Sequence, residues 1–242
     1  MKTTRLDNNP NFDLVIFDCD GVLVDSEVIS CRVHAEVLTR YGYPITAEQA
    51  RARFLGRTAH EATAEVEREL GRQLAESYEL ERRTTLLAAL VDAVEAIPHL
   101  ADTLDAIDTP MCVASSAAHE KIFTTLSRTG LYQRFTPHIF SGSQVSNGKP
   151  APDLFLFAAK QMAALPRRCV VIEDSVPGVT GALAAGTTVL GFHGGSHCRP
   201  GDDNALRAAG ATVTFDDMRQ LPGLIARIAA DRPPSLREAG PE

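Results

Sequence analysis

No apolar run in this 242-residue chain approaches the roughly 20 residues that a bilayer-spanning helix needs, so a helical membrane span is not expected. A CxxC pair is also missing. The five cysteines, at positions 19, 31, 112, 169 and 198, are odd in number and irregular in spacing. That pattern argues against a disulfide framework and for free, mostly buried thiols in a reducing compartment. Basic surplus is absent too: 24 Lys and Arg stand against 31 Asp and Glu, a net charge of −7. Nucleic acid and anionic membrane are therefore poor candidate partners, whereas a small anionic ligand held by local groups remains compatible. Residues 1–11 are polar and carry no signal-peptide apolar region, which leads to the expectation of a cytoplasmic protein. There is no internal repeat and no low-complexity block. What remains is ordinary globular composition, 44% hydrophobic and 23% charged, enough for one large domain or two smaller ones without disulfide or metal staples. A monomer or weak homo-oligomer is expected.

Short apolar runs punctuate the chain. Leu14-Val15-Ile16-Phe17 leads directly into Asp18-Cys19-Asp20-Gly21, a buried strand ending in a turn. Comparable runs follow at residues 111–114, 138–140, 169–172, 187–192 and 212–215. Between them the spacing turns helical. Ile122, Thr125, Leu126 and Thr129 form one such segment that stops at Gly130, and Pro152 precedes Phe155, Ala158, Ala159 and Met162. Buried strands alternating with helices predict an α/β fold: a Rossmann-like parallel sheet covered on both faces.

Residues 27–96 break the alternation. Val33, Val37, Leu38 and Tyr41 make an amphipathic stripe ending at Gly42, and Leu86, Leu87, Leu90, Val91 and Val94 make another. Thr46 with Gln49 and Thr58 with Glu61 have capping-box spacing. The stretch is too long for a single crossover and reads as a small helical cap inserted into a core of residues 1–26 and 97–242; one elongated α/β domain with long helices is the alternative. Residues 231–242, rich in proline, read as a flexible tail.

Asp18 and Asp20 lie two residues apart on extended backbone at a strand end, so both carboxylates point the same way. Alone, the pair reads better as a turn with two solvated aspartates than as a metal-assisted nucleophile site. Ser115 ends the second strand run, Lys149 precedes a helix, and Glu173-Asp174 ends the strand at 169–172. All of them fall at the carboxyl edge of the expected sheet, where open α/β proteins bind ligands. Hard oxygens suit Mg²⁺, and a hydroxyl and an ammonium suit phosphoryl oxygens.

The segment Phe17-Asp18-Cys19-Asp20-Gly21-Val22-Leu23-Val24-Asp25-Ser26-Glu27 resembles the first motif of the haloacid-dehalogenase-like hydrolases. Ser115, Lys149 and Glu173-Asp174 match the family's second, third and fourth motifs in order. The resemblance covers nearly the whole chain and implies an aspartyl-phosphate mechanism. Asp18 would be the nucleophile, Asp20 the general acid/base, and Gly21 the residue that lets the backbone turn beside the anion. Ser115 and Lys149 would hold the phosphoryl group, and Asp18, the Asp20 carbonyl, Asp174 and Glu173 would hold Mg²⁺. An inserted helical cap is similar to that of the sugar-phosphatase and β-phosphoglucomutase branch, and the motif context is most similar to phosphatases of 6-phosphogluconate and related sugar or polyol phosphates. A small phosphorylated metabolite is the expected partner. The mutases carry a cap arginine three residues after a glycine and a histidine ten residues after the acid/base aspartate; here those positions hold Ala59 and Ser30. A phosphoaspartate signalling receiver is the remaining alternative, disfavoured by chain length and by Asp20.

Four other features invite a reading. Gly56, Arg57 and His60, between two capped helices, are candidate specificity residues, with Arg53 nearby. Arg82 and Arg83 read as a solvated helix face. His193, His197 and Cys198, with Asp202 and Asp203, have spacing that a transition metal could use, but the glycines at 191, 194 and 195 favour a plain loop after a strand. Cys19, with no base beside it in sequence, reads as a packed thiol.

Overall fold

The computed structural model describes residues 12–55 and 58–231. Six strands form one all-parallel sheet: β1 (Leu14–Phe17), β2 (Met111–Ser115), β3 (Ile139–Ser141), β4 (Cys169–Glu173), β5 (Thr188–Phe192) and β6 (Val213–Phe215). Their order across the sheet is β3-β2-β1-β4-β5-β6. β1 is therefore central, paired with β2 on one side (Phe17 opposite Val113) and β4 on the other (Phe17 opposite Ile172). The chain builds outward from β1 in one direction and then returns to build outward in the other. This reversal opens a crevice at the carboxyl end of β1.

Alternation along the central strands divides the core into two layers. Val15, Phe17, Val113, Val170 and Ile172 face one layer. It is closed by helices α5 (Leu100–Asp105), α6 (His119–Arg128), α7 (Tyr132–Phe135) and α11 (Leu221–Asp231). Leu14, Ile16, Cys112, Ala114, Cys169 and Val171 face the other, closed by α8 (Asp153–Gln161), α9 (Val176–Ala184) and α10 (Asp202–Ala208). Burial of the central strands on both faces explains why they read as continuous apolar runs. Among the described residues no helix is long and apolar enough to cross a membrane.

Between β1 and α5 lie four helices: α1 (Glu27–Arg40), α2 (Ala47–Phe54), α3 (Ala59–Leu70) and α4 (Ser77–Ala93). They share a hydrophobic cluster of their own, built on Val33, Val37, Leu38, Phe54, Val66 and Tyr78. Both expected capping boxes are present, Thr46 with Gln49 and Thr58 with Glu61. The chain enters and leaves this insert side by side, where Val24 bridges Ala96 and the Asp25 amide donates to the Glu95 carbonyl at 2.9 Å.

Some expectations need correction. In the apolar stripe that runs along α4 into its C-cap, Leu90 and Val94 are buried but Val91 is 55% exposed. One position beyond Leu90, at 3.6 residues per turn, it has rotated off the packed face. α11 includes Asp231, the first residue of the expected tail; residues 232–242 lie outside the described residues. All five cysteines are free, and four are buried.

Candidate active site

β1 delivers Asp18 to the crevice, and its amide donates to the Ile172 carbonyl of the adjacent strand at 3.0 Å. The next residues turn back sharply: Gly21 N–H donates to the Val24 carbonyl at 2.8 Å. Gly21 sits at φ +77°, and a Cβ there would lie 1.8 Å from Asp174 Oδ2. Only glycine meets both demands. β2 ends on Ser115, 1% exposed, whose Oγ accepts from the Ala117 amide at 3.1 Å. β4 ends on Glu173, with Asp174 next. Three neighbouring strands thus bring the motif residues to one place.

Lys149, on the loop before α8, is at the centre. Its Nζ lies 2.9 Å from Asp18 Oδ1 and 2.5 Å from Glu173 Oε1, and it donates to the Ala114 carbonyl at 3.2 Å. Glu173 is wholly buried. Its second oxygen accepts from the Asp174 amide at 3.0 Å and from the Ser175 hydroxyl at 2.9 Å. Burial raises the Asp18 carboxyl well above the usual carboxylate range against the pull of Lys149, and Glu173, Asp174 and Asp20 add to the rise. Asp174 is raised mainly by burial. Burial opposes the Lys149 charge, but Asp18 and Glu173 outweigh it and hold its pKa above the ordinary lysine value.

One carboxylate oxygen from each of Asp18, Glu173 and Asp174 lies within 4.8 Å of the others. Asp18 and Asp174, raised by burial and by the neighbouring Glu173 charge, form with it a hard-oxygen cluster of the kind a magnesium-sized cation relieves, so the residues present fit such an ion.

A cavity of about 390 Å³ covers this edge. Its floor includes Asp18, Asp20, Ser115, Lys149 and Asp174, and its other walls come from α1, α4 and the residues flanking the α2–α3 turn. Ser30 and Ala59 both line it. Leu55 and Thr58 also reach it, whereas His60 is exposed on the first turn of α3 and is not among the lining residues. Gly56 and Arg57 lie outside the described residues. Arg53 is engaged within the insert, its Nη2 2.6 Å from Glu65 and 2.5 Å from Glu69.

Sequence reasoning missed several residues here. Lys121, on the first turn of α6, places Nζ 2.8 Å from Asp20 Oδ1. The Ser26 hydroxyl donates to the same oxygen at 2.5 Å. Glu27 lines the cavity; burial pushes its carboxyl up to about 7, although Lys121 works the other way. The Arg82–Arg83 reading is corrected in part. Arg82 lines the cavity with only 15% of its side chain exposed, paired to Glu79, because α4 turns that face inward. Arg83 also lines the cavity but is exposed, and it donates across to Glu120 of α6 at 2.6 Å.

The segment after β5 is a loop, as expected, but His197 is not a bland part of it. It is 1% exposed, and its Nε2 lies 3.1 Å from Asp174 Oδ2. Burial disfavours its charge, yet Asp174 and Cys198 push its pKa up to about 11. Asp202 and Asp203 begin α10 instead. Cys19 is fully buried beside Thr125 and its thiol is pushed upward by burial, so it is packing, not a nucleophile.

A parallel sheet with helices on both faces and an acidic site at its carboxyl edge defines a Rossmann-like α/β protein. The chain belongs to the haloacid dehalogenase-like hydrolase family, whose profile matches residues 15–192. It is 32% identical to the 6-phosphogluconate phosphatase of Escherichia coli strain K12 over 213 residues, 88% of this chain and 94% of that protein. Among solved structures it is similar to a haloacid dehalogenase-like protein from Agrobacterium tumefaciens, with TM-score 0.80 and 40% identity over 90% of this chain and all of that one. A family hydrolase from Deinococcus radiodurans, solved with phosphate and sodium bound, gives TM-score 0.74 and 34% identity over 92% and 98% of the two chains.

Proposed function

We propose that this protein is a magnesium-dependent phosphatase that hydrolyses a small phosphate monoester, a sugar or sugar-acid phosphate of the 6-phosphogluconate kind, through an aspartyl-phosphate intermediate. The observation that carries the reading is the convergence of Asp18, Asp20, Ser115, Lys149 and Asp174 on the floor of one cavity.

In this reading the Asp18 carboxylate attacks phosphorus, and the bond from phosphorus to the ester oxygen breaks. Asp20 gives its proton to the departing alkoxide, so the alcohol leaves neutral. Asp20, now ionised, takes a proton from water as that water attacks phosphorus. The acyl phosphate bond breaks, inorganic phosphate leaves, and both aspartates return to their starting states. Ser115 and Lys149 hold the peripheral oxygens as charge shifts among them. Asp18, Asp174 and the Asp20 carbonyl would hold magnesium, with Glu173 assisting by fixing Lys149 and the following turn. The ion supplies charge neutralisation between the acidic cluster and the phosphoryl group. Helices α1–α4 act as the cap, which excludes water and contacts the non-phosphate end of the substrate.

Ser30 and Ala59 favour hydrolysis over the mutase alternative. Both line the cavity, yet neither offers the charged or imidazole group that the mutases carry at those spacings. The test is phosphate release from a panel of sugar, sugar-acid and polyol phosphates with and without magnesium, alongside Asp18→Asn. Magnesium-dependent release that falls below a tenth of wild type in Asp18→Asn is expected. An isomerised phosphosugar with no free phosphate, or an active Asp18→Asn, overturns the reading.

A further inference from the structure

His197 is the feature that the roles above leave unexplained. An imidazole on a loop is ordinarily solvated, but this one is 1% exposed. Its Nδ1 is buried with no hydrogen-bond partner among the described residues. Such burial costs free energy unless something specific offsets it. The offset visible here is at the other ring nitrogen, where Nε2 meets Asp174 Oδ2 at 3.1 Å.

The ring sits in a slot that two glycines make possible. A Cβ on Gly195 would lie 2.7 Å from both Cε1 and Nδ1, and one on Gly21 would lie 2.9 Å from Cε1. Gly21 is also the turn residue of the Asp18-Asp20 segment, so the slot opens between the catalytic turn and the loop after β5. The loop itself is held at several points. The Ser196 amide and hydroxyl donate to Asp25 Oδ1 at 3.2 and 2.9 Å. The Cys198 amide closes a tight turn onto the Gly195 carbonyl at 3.0 Å. Arg199 Nη1 donates to the carbonyls of Ser196, His197 and Cys198. A loop fixed this firmly presents Nε2 to Asp174 Oδ2, with the Cys198 Sγ of the same loop also 3.4 Å from that nitrogen.

We infer that His197 is a positioning residue for the cation site. By donating to Oδ2 it sets the rotation of the Asp174 carboxylate and leaves Oδ1 as the oxygen available to the cation. The inference rests on Asp174 being a magnesium ligand in the function proposed above. Ligating carboxylates are commonly oriented by such outer contacts, and losing one typically costs about 10–100-fold in metal affinity.

The experiment is calorimetric titration of Mg²⁺ into the full-length protein, with melting temperature recorded in EDTA, for four variants. His197→Leu keeps bulk but loses the donor. His197→Gln keeps an N–H at similar reach, and His197→Asn is too short to reach. Asp174→Asn tests the underlying reading. The expected result is a 10–100-fold weaker Mg²⁺ affinity for His197→Leu and His197→Asn, with His197→Gln within about threefold of wild type and Asp174→Asn weaker still. Should the leucine variant fail to fold, the Gln and Asn pair decides alone. Wild-type affinity in His197→Asn, or equal loss in His197→Asn and His197→Gln, overturns the inference while leaving the cation site intact. Wild-type affinity in Asp174→Asn overturns the site assignment itself.

Discussion

Lys121 Nζ and Asp20 Oδ1 lie 2.8 Å apart, and the Ser26 hydroxyl reaches the same oxygen at 2.5 Å. Two donors converge on Oδ1 and fix the Asp20 carboxylate. If Asp20 is the acid/base, losing Lys121 should harm chemistry that needs a protonated leaving group. Lys121→Met is expected to lower kcat about tenfold or more for alkyl phosphates and much less for an aryl phosphate, whose leaving group departs without a proton. Asp20→Asn should show the same selectivity more strongly, roughly 10²–10⁴-fold. Steady-state kinetics on both substrate types measure it. A uniform loss across leaving groups in Lys121→Met would show that Lys121 serves binding and not Asp20.

Lys149 holds two buried carboxylates, at 2.9 Å from Asp18 and 2.5 Å from Glu173, with only 4% of its side chain exposed. Removing the cation strands both acids in a medium that penalises unpaired charge. Lys149→Met should therefore cost stability as well as turnover, by about 3–5 kcal/mol, the usual range for breaking a buried pair from one side. Urea denaturation in EDTA at neutral pH reads this loss. Added magnesium should restore part of it by supplying another positive charge. A variant as stable as wild type in EDTA would show that the fold does not depend on the Lys149 charge.

Glu27 gives a pH dependence whose sign follows from its environment. Burial pushes its carboxyl from the ordinary 4.5 up to about 7. A raised carboxyl favours the protonated fold, so its contribution is fully present below pH 4.5 and is lost as pH rises through 7. The shift corresponds to at most about 3 kcal/mol. Glu27→Gln should remove this dependence. The stability of wild type relative to the glutamine variant should fall between pH 4.5 and 7.5, measured by urea denaturation in EDTA. A constant difference across that range would place the Glu27 titration elsewhere.

The strands were legible because each central one is a run of four or five apolar residues, many β-branched, closed by a polar turn. Asp18, Ser115, Lys149 and Glu173-Asp174 were legible for a related reason, since each sits at or just beyond such a run or just before a helix. Lys121 was within reach of the same logic: a helix that follows Ser115 must bring its first turn over the sheet edge. His197 was not. Its contact with Asp174 joins a loop without periodicity to a strand end 23 residues earlier, and nothing in local spacing marks it. Arg82 was missed because hydrophobic patterning identifies the packed stripe of α4 but cannot tell a polar face in solvent from one that roofs a cavity.

That roof sets the last expectation. Chemistry in this reading belongs to the floor, so discrimination among substrates must come from groups on the opposite walls. Arg82 and Arg83 both line them, but Arg83 is held by Glu120; Arg82 has 15% of its side chain exposed, and its Nε donates to Glu79 at 2.9 Å. Glu79 is 57% exposed, so its charge can be solvated if the arginine turns toward a ligand. A guanidinium in that position favours a substrate with an anionic far end, such as the carboxylate of a sugar-acid phosphate, over a neutral sugar phosphate. A hydrogen bond to a charged group is worth about 1.5–3 kcal/mol, which corresponds to roughly 10–100-fold. Arg82→Gln should lower kcat/KM by that factor for 6-phosphogluconate. Neutral hexose phosphates should change far less, and an aryl phosphate least. Because Glu79 is exposed, the variant should fold normally, and its melting temperature checks this. Equal losses for the acidic and neutral sugar phosphates would assign Arg82 to holding the cap together and leave the choice of substrate to other walls of the cavity.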